Sequence, residues 1–172
     1  MSDLNDIKAE LSALKARVRL LEDETEICQL IAKYGPSVDS GSVDSAAELW
    51  TEDGVFAVVG GELSFEMVGK AQVAEMVSGE GHQLLIARGC AHVLSPPNIE
   101  IDGDTARGLN HAMNLRWDGE NDRFWVARVS ANEWQFVRTA HGWRVKHRTN
   151  SVLDGAAAAR ALLTPHQSTG RR

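Results

Sequence analysis

The first forty residues carry the strongest periodic signal in the chain. Leu4, Ile7, Leu11, Leu14, Val18 and Leu21 follow one another at intervals of 3-4-3-4-3, the seam of a heptad helix. Continuing the count reaches Thr25 and Cys28, where the seam weakens. A second stripe of Ile27, Leu30, Ile31 and Tyr34 then takes over, at the spacing of a helix packed on a globular core. The pattern predicts an N-terminal helical arm within residues 1–23 and a first core helix over about 24–40. Two fates are open to the arm, a helix lying on its own domain or an intermolecular coiled coil, because so few heptads are marginal alone. Gly35-Pro36 is expected to kink or end the core helix, since proline lacks the donor and clashes with the preceding turn.

Beyond the polar break Asp39-Ser-Gly-Ser, Ser42 caps a short helix through Ala46, Leu49 and Trp50. From Gly54 the period changes to two. Val55 to Val59 reads as a strand, Gly60-Gly61 as a hairpin turn and Leu63 to Val68 as the returning strand. Gly69 to Ser78 reads as a helix with Val73, Met76 and Val77 inward, while His82 to Gly89 fits neither period. Five strands follow: Ala91–Leu94, Asn98–Ile101, Thr105–Trp117, Phe124–Val137 and Trp143–Val152. Turn-forming clusters separate them, Ser95-Pro96-Pro97 and Asp102-Gly-Asp104 among them. Helices first and a meander of long strands afterwards is α+β, with helices on one face of a curved antiparallel sheet. The domain is expected over residues 24–152, with 153–172 as a C-terminal tail holding a short helix.

Composition narrows the function. A chain of 172 residues can bury the core of one domain. Lys and Arg total 18 against 24 Asp and Glu, a net charge of −6, which argues against nucleic acid or an anionic membrane as a general partner. Arg171-Arg172 is too short a basic run to change that. Cys28 and Cys90 make neither a disulfide framework nor a metal-type spacing. The acidic N-terminus lacks signal-peptide character and no apolar run reaches spanning length, so a cytoplasmic location is expected. His82, His111, His141, His147 and His166 show no ligand spacing, and no glycine loop could cradle phosphate; no metal and no cofactor are expected. The tryptophans Trp50, Trp117, Trp125, Trp134 and Trp143 read mainly as core and interface bulk.

The order of features is more specific than any one of them. A helix ending in Tyr34…Val38-Asp39, then Leu49-Trp50-Thr-Glu-Asp53-Gly54-Val-Phe56, a helix start at Val68-Gly69, and His92 before a strand recur together in a known family. So do Ile101-Asp102-Gly103-Asp104-Thr-Ala106 and Gly142-Trp143-Arg144-Val145. Over about residues 24–152 the chain resembles the SnoaL-like branch of the nuclear transport factor 2-like superfamily. The resemblance implies a cone-shaped α+β barrel, its curved sheet wrapped on the N-terminal helices around a pocket. Among superfamily members the pattern is most similar to scytalone dehydratase, bile-acid 7α-dehydratase and hexachlorocyclohexane dehydrochlorinase. It implies Asp39 and His92 as a catalytic dyad, with Tyr34 beside them. It also implies Ser130 and Asn132 as pocket residues, and Asn110 stands where the dehydratases carry a further histidine or aspartate. Trp50 and Phe56 are assigned to the substrate-binding set.

Chemistry supports that assignment. A neutral imidazole can take a proton near neutral pH, and a carboxylate on its other nitrogen fixes the tautomer. Elimination beside a carbonyl also needs a donor facing the developing enolate, for which Tyr34, Asn110 and Asn132 are candidates. Alternation puts Ala106, Gly108, Asn110, Ala112 and Asn114 on one strand face, assigned inward because small residues leave room for a ligand. Leu109, His111, Met113 and Leu115 then face outward, an apolar surface for subunit packing into a dimer or trimer. The expected function is a cofactor-independent lyase acting on a small hydrophobic cyclic molecule. The alternatives are a ketosteroid-isomerase-like isomerase and a non-catalytic binding or assembly module, including one like the small subunit of a ring-hydroxylating oxygenase.

Overall fold

The computed structural model describes residues 2–60 and 64–165. Gly61 and Leu63 of the expected hairpin, and His166 and Arg171-Arg172 of the tail, lie outside the described residues.

One helix, α1, runs from Ser2 to Asp39 without interruption. The expected arm and core helix are thus one continuous element, and Gly35-Pro36, expected to kink or end it, does not end it. No glycine or proline occurs between Leu4 and Tyr34, and strong helix formers carry the backbone through. Pro36 withholds one donor, yet its carbonyl still accepts from the Ser40 N–H at 3.0 Å, so the last turn forms. What changes along α1 is burial. Leu4, Ile7, Leu11, Leu14, Val18 and Leu21 are all at least half exposed, whereas Ile27, Leu30, Ile31, Tyr34 and Val38 are buried.

Asp23 marks the transition. Its carboxylate accepts from Arg138 Nη1 at 2.6 Å and Nη2 at 2.7 Å, and from the Trp143 indole N–H at 3.1 Å. Glu26 accepts the Trp143 backbone N–H at 2.8 Å. The bidentate pair and the indole tie the middle of α1 to the sheet.

The short helix α2 (Val43–Ala47) leads into strand β1 (Trp50–Val59), followed by β2 (Phe65–Val68), α3 (Lys70–Ser78) and α4 (Glu80–Ala87). The segment that fitted neither period is thus helical. Strands β3 (Cys90–Leu94), β4 (Asn98–Asp102), β5 (Thr105–Asp118), β6 (Arg123–Thr139) and β7 (Gly142–Val152) complete the sheet, and α5 (Ala157–Leu162) ends the described chain. Among the described residues the strand order is β2-β1-β7-β6-β5-β3, with β4 on the same edge of β5 as β3. Every pair is antiparallel except β1 with β7. The curved sheet is mixed rather than wholly antiparallel and does not close. It nonetheless has the expected α+β, cone-like form, with α1 across its concave face.

Two bulges set which residues look inward. β6 holds an extra residue at Ala127, because Asn114 pairs with Arg128 while Leu115 pairs with Val126. β7 holds one at Lys146, because Phe136 pairs with Val145 while Gln135 pairs with His147. A strand reverses its faces across such an insertion. The inward set assigned to β5 is as expected, but at Gly108 the space is filled: a side chain there would meet Phe136 and Ile31. At that end the small residues make room for α1, not for a ligand. Leu109, expected on an open outer surface, is buried. It lies outside the main core, on the face where α5 packs against β6 and buries Ala159. No helix among the described residues is long and apolar enough to cross a membrane.

Candidate active site

The last turn of α1 lies against β3, and Gly35 makes that approach possible. A β-carbon at Gly35 would collide with the His92 carbonyl oxygen. The close packing carries Asp39, one turn later, onto His92. Asp39 Oδ1 is 2.6 Å from His92 Nδ1, and Oδ2 accepts the His92 backbone N–H at 2.7 Å. Burial pushes the Asp39 carboxyl up, but the ring and backbone N–H groups of His92 outweigh it and hold the carboxyl below its ordinary value. An ionised Asp39 accepts at both oxygens, so Nδ1 carries a proton and Nε2 keeps its lone pair in the neutral ring. Cys90 adds a third contact, its thiol donating to Asp39 Oδ1 at 3.7 Å. Burial, helped by the Asp39 charge, lifts that thiol above its ordinary range and keeps it protonated. The donor atoms of Asp39, Cys90 and His92 lie within 4.8 Å of one another, each already engaged in this hydrogen-bonded cluster.

His92 faces a cavity of about 410 Å³. Phe56, Val58, Phe65, Met76 and Leu85 supply its apolar wall, with Tyr34 beside the dyad. Tyr34 stands edge-on to His92, ring centroids 6.4 Å apart and planes 88° apart. His82, at the start of α4, forms the opposite shoulder. Its Nε2 donates to the Val38 carbonyl at 2.8 Å, and its ring lies 6.1 Å from that of His92.

The deepest group is Arg148, only 2% exposed. Its guanidinium carbon lies 4.1, 4.7 and 4.2 Å from the ring centres of Tyr34, Phe56 and Trp134. Nε donates to Asn132 Oδ1 at 3.0 Å, while the buried Nη1 has no hydrogen-bond partner among the described residues. Burial draws its proton affinity down, yet a guanidinium stays charged in proteins. A buried cation held by three aromatic faces, with one N–H group unspent, is costly unless it meets a ligand. Strict alternation from Trp143 would place Arg148 outside. The bulge at Lys146 turns it inward, and only a bulge in β7 could have revealed it from the sequence.

The other expected site residues stand behind the cavity wall. Asn110 is saturated, donating to the Ser95 carbonyl at 3.0 Å and accepting the Trp134 indole N–H at 3.1 Å. Asn132 Oδ1 accepts from Arg148 and from Asn150 Nδ2, both at 3.0 Å. Ser130 accepts from Arg128 Nε at 3.0 Å. Trp50 packs on Phe56 with ring centres 5.7 Å apart. Asn132, Ser130 and Trp50 hold groups that line the cavity, and Asn110 holds Trp134 behind it. Asn114, Asn150, His82, Arg116, Arg128 and Arg148 do line it, and none was singled out for the site from sequence.

The fold and this cavity define a domain fitted for ligand binding or catalysis. A SnoaL-like domain model matches residues 19–149, and the chain belongs to that family. It is similar to the crystal structure of a nuclear transport factor 2-like protein with a cystatin-like fold from Novosphingobium aromaticivorans. The two are 48% identical over 90% of this chain and 97% of that one, with a TM-score of 0.84. A candidate aromatic ring hydroxylase from the same organism is 25% identical over 77% of this chain and 90% of its own, TM-score 0.63. A nuclear transport factor 2-like superfamily protein from Salmonella enterica serovar Typhimurium shares the fold, at 18% identity, 77% and 92% coverage and a TM-score of 0.61. No curated protein matches the sequence.

Proposed function

We propose that the chain is a cofactor-independent lyase that eliminates water, or a similar leaving group, from a small hydrophobic cyclic substrate. The observation that carries this is the Asp39–His92 pair, joined at 2.6 Å at the wall of a largely apolar cavity. His92 Nε2 takes the proton from a carbon beside a carbonyl. The C–H electron pair becomes the new double bond, and the leaving oxygen departs from the adjacent carbon with its bonding pair. That oxygen regains a proton from the imidazolium, so the base is restored. Asp39 holds the ring tautomer and balances the positive charge between the two transfers. Tyr34 and the unpartnered Arg148 Nη1 are the donors for the enolate oxygen. Return of the proton to a different carbon would make the same site an isomerase.

The test is turnover of cyclic β-hydroxy ketones, followed by loss of the hydroxyl in the product. His92→Ala and Asp39→Asn should each lose about 10²–10⁴-fold in kcat. Full turnover by both variants would overturn the proposal.

The exposed heptad seam of α1 and the outer face of the sheet support self-association. Val93, Met113 and Val129 lie side by side across β3, β5 and β6, each more than a third exposed. A second copy of this chain is the proposed cover for both surfaces.

A further inference from the structure

Three arginines line the cavity, and none meets a carboxylate among the described residues. Arg148 is held as described above. Arg128 spends Nε on Ser130 Oγ and reaches the Val59 carbonyl through Nη2 at 3.4 Å. Arg116 donates to the carbonyl of its neighbour Leu115 at 3.0 Å. Elsewhere Arg107 pairs with Glu133, and Arg138 with Asp23 and Asp104. Acids outnumber bases in this protein, yet among the described residues no Asp or Glu lines the cavity. Asp39, behind His92, is the dyad's own acid, and both its oxygens are committed to His92. The cavity is therefore a positive interior in a negative molecule, where low-dielectric walls focus the field.

The placement is specific. Across β3, β5 and β6, His92 pairs with Asn114 and Asn114 with Arg128, which puts all three in one row. Arg116 lies two residues along β5 from Asn114, on the same face. His92 and Arg128 stand two strands apart, roughly 10 Å between backbones. A guanidinium fork matches a planar carboxylate better than any neutral oxygen.

We infer that the ligand of this cavity is a hydrophobic cyclic carboxylate, its carboxylate seated on Arg116 and Arg128 and its ring against Phe56, Val58 and Leu85. The inference rests on the cavity being the substrate site, but not on turnover there. 2-Naphthoate and its neutral analogue 2-naphthamide test it by titration calorimetry on the full chain. Naphthoate should bind at least tenfold tighter, and the preference should shrink as salt is raised. Arg116→Gln with Arg128→Gln should abolish the preference, while Arg128→Lys should keep part of it. His92→Ala should retain the preference, so a failed dyad and a failed carboxylate site give different results. Equal binding of the two probes to the unmodified protein would overturn the inference without any variant. So would a preference unchanged in the double arginine variant.

Discussion

Gly35 touches the His92 carbonyl with no side chain between them, and this contact sets where Asp39 meets the imidazole. A methyl at that position would force the end of α1 away from β3. Gly35→Ala should therefore fold but lose about 10²-fold in kcat, the usual cost of displacing a catalytic group by an ångström. Loss of the far-downfield Nδ1 proton resonance of His92 would report the broken bond directly. Unchanged resonance and rate would show that the contact does not position the dyad.

Arg148 should separate stability from function. A buried charge replaced by an apolar side chain of similar length is often neutral, or stabilising by about 1–4 kcal/mol. Arg148→Met is expected to melt no lower than the parent while its kcat falls about 10²–10³-fold, as for loss of an oxyanion donor. A large drop in melting temperature would make the guanidinium a structural group.

Asp23 should behave in the opposite way. Hydrogen bonds from Arg138 hold its carboxyl below the ordinary 3.8, against the opposing effect of burial. A carboxyl depressed on folding contributes stability that is full above its unfolded value and is lost as pH falls through its folded one. Asp23→Asn should cost about 3 kcal/mol in denaturant titrations at neutral pH. The gap from the parent should narrow only below about pH 4. A constant gap down to the acid transition would deny the ion pair this role.

Asp39 follows the same sign, with a different readout. Its carboxyl is also depressed, so the pair with His92 persists on acidification until Asp39 itself protonates. The far-downfield Nδ1 proton resonance of His92 should therefore persist as pH falls until the Asp39 carboxylate is neutralised. Its loss well above the carboxylate range would deny Asp39 this hold on the ring.

The heptad seam gives a test of assembly. Leu11→Glu with Leu14→Glu should lower the mass seen by sedimentation equilibrium without altering the cavity. If the parent is already a monomer, the proposed self-association is wrong.

The elements were largely legible in the sequence because periodicity reports burial. The stripe from Ile27 to Tyr34 and the inward set of β5 both read correctly, since each comes from one uninterrupted element. Gly35-Pro36 misled, because a glycine chosen for close approach looks in sequence like a glycine chosen to end a helix. The site was legible only in part. Asp39 and His92 are brought together as the family pattern implied, and Tyr34 stands beside them. Asn110, named as a possible donor, instead spends its polar atoms on Ser95 and Trp134, while Asn132 Oδ1 holds Arg148 and Asn150. Arg116 continues the inward face by simple alternation, two residues beyond Asn114, where the assigned set ended. Arg148 was hidden by the bulge.

That bulge means the cavity's charge depends on counting as well as on chemistry. Deleting Lys146 would leave every cavity residue in the chain, yet shift Arg148 and Asn150 to the opposite face of β7. A homologue lacking one residue there would carry the same letters and a different interior. Sequence comparisons that slide a gap along β7 will therefore misassign the ligand such a protein accepts.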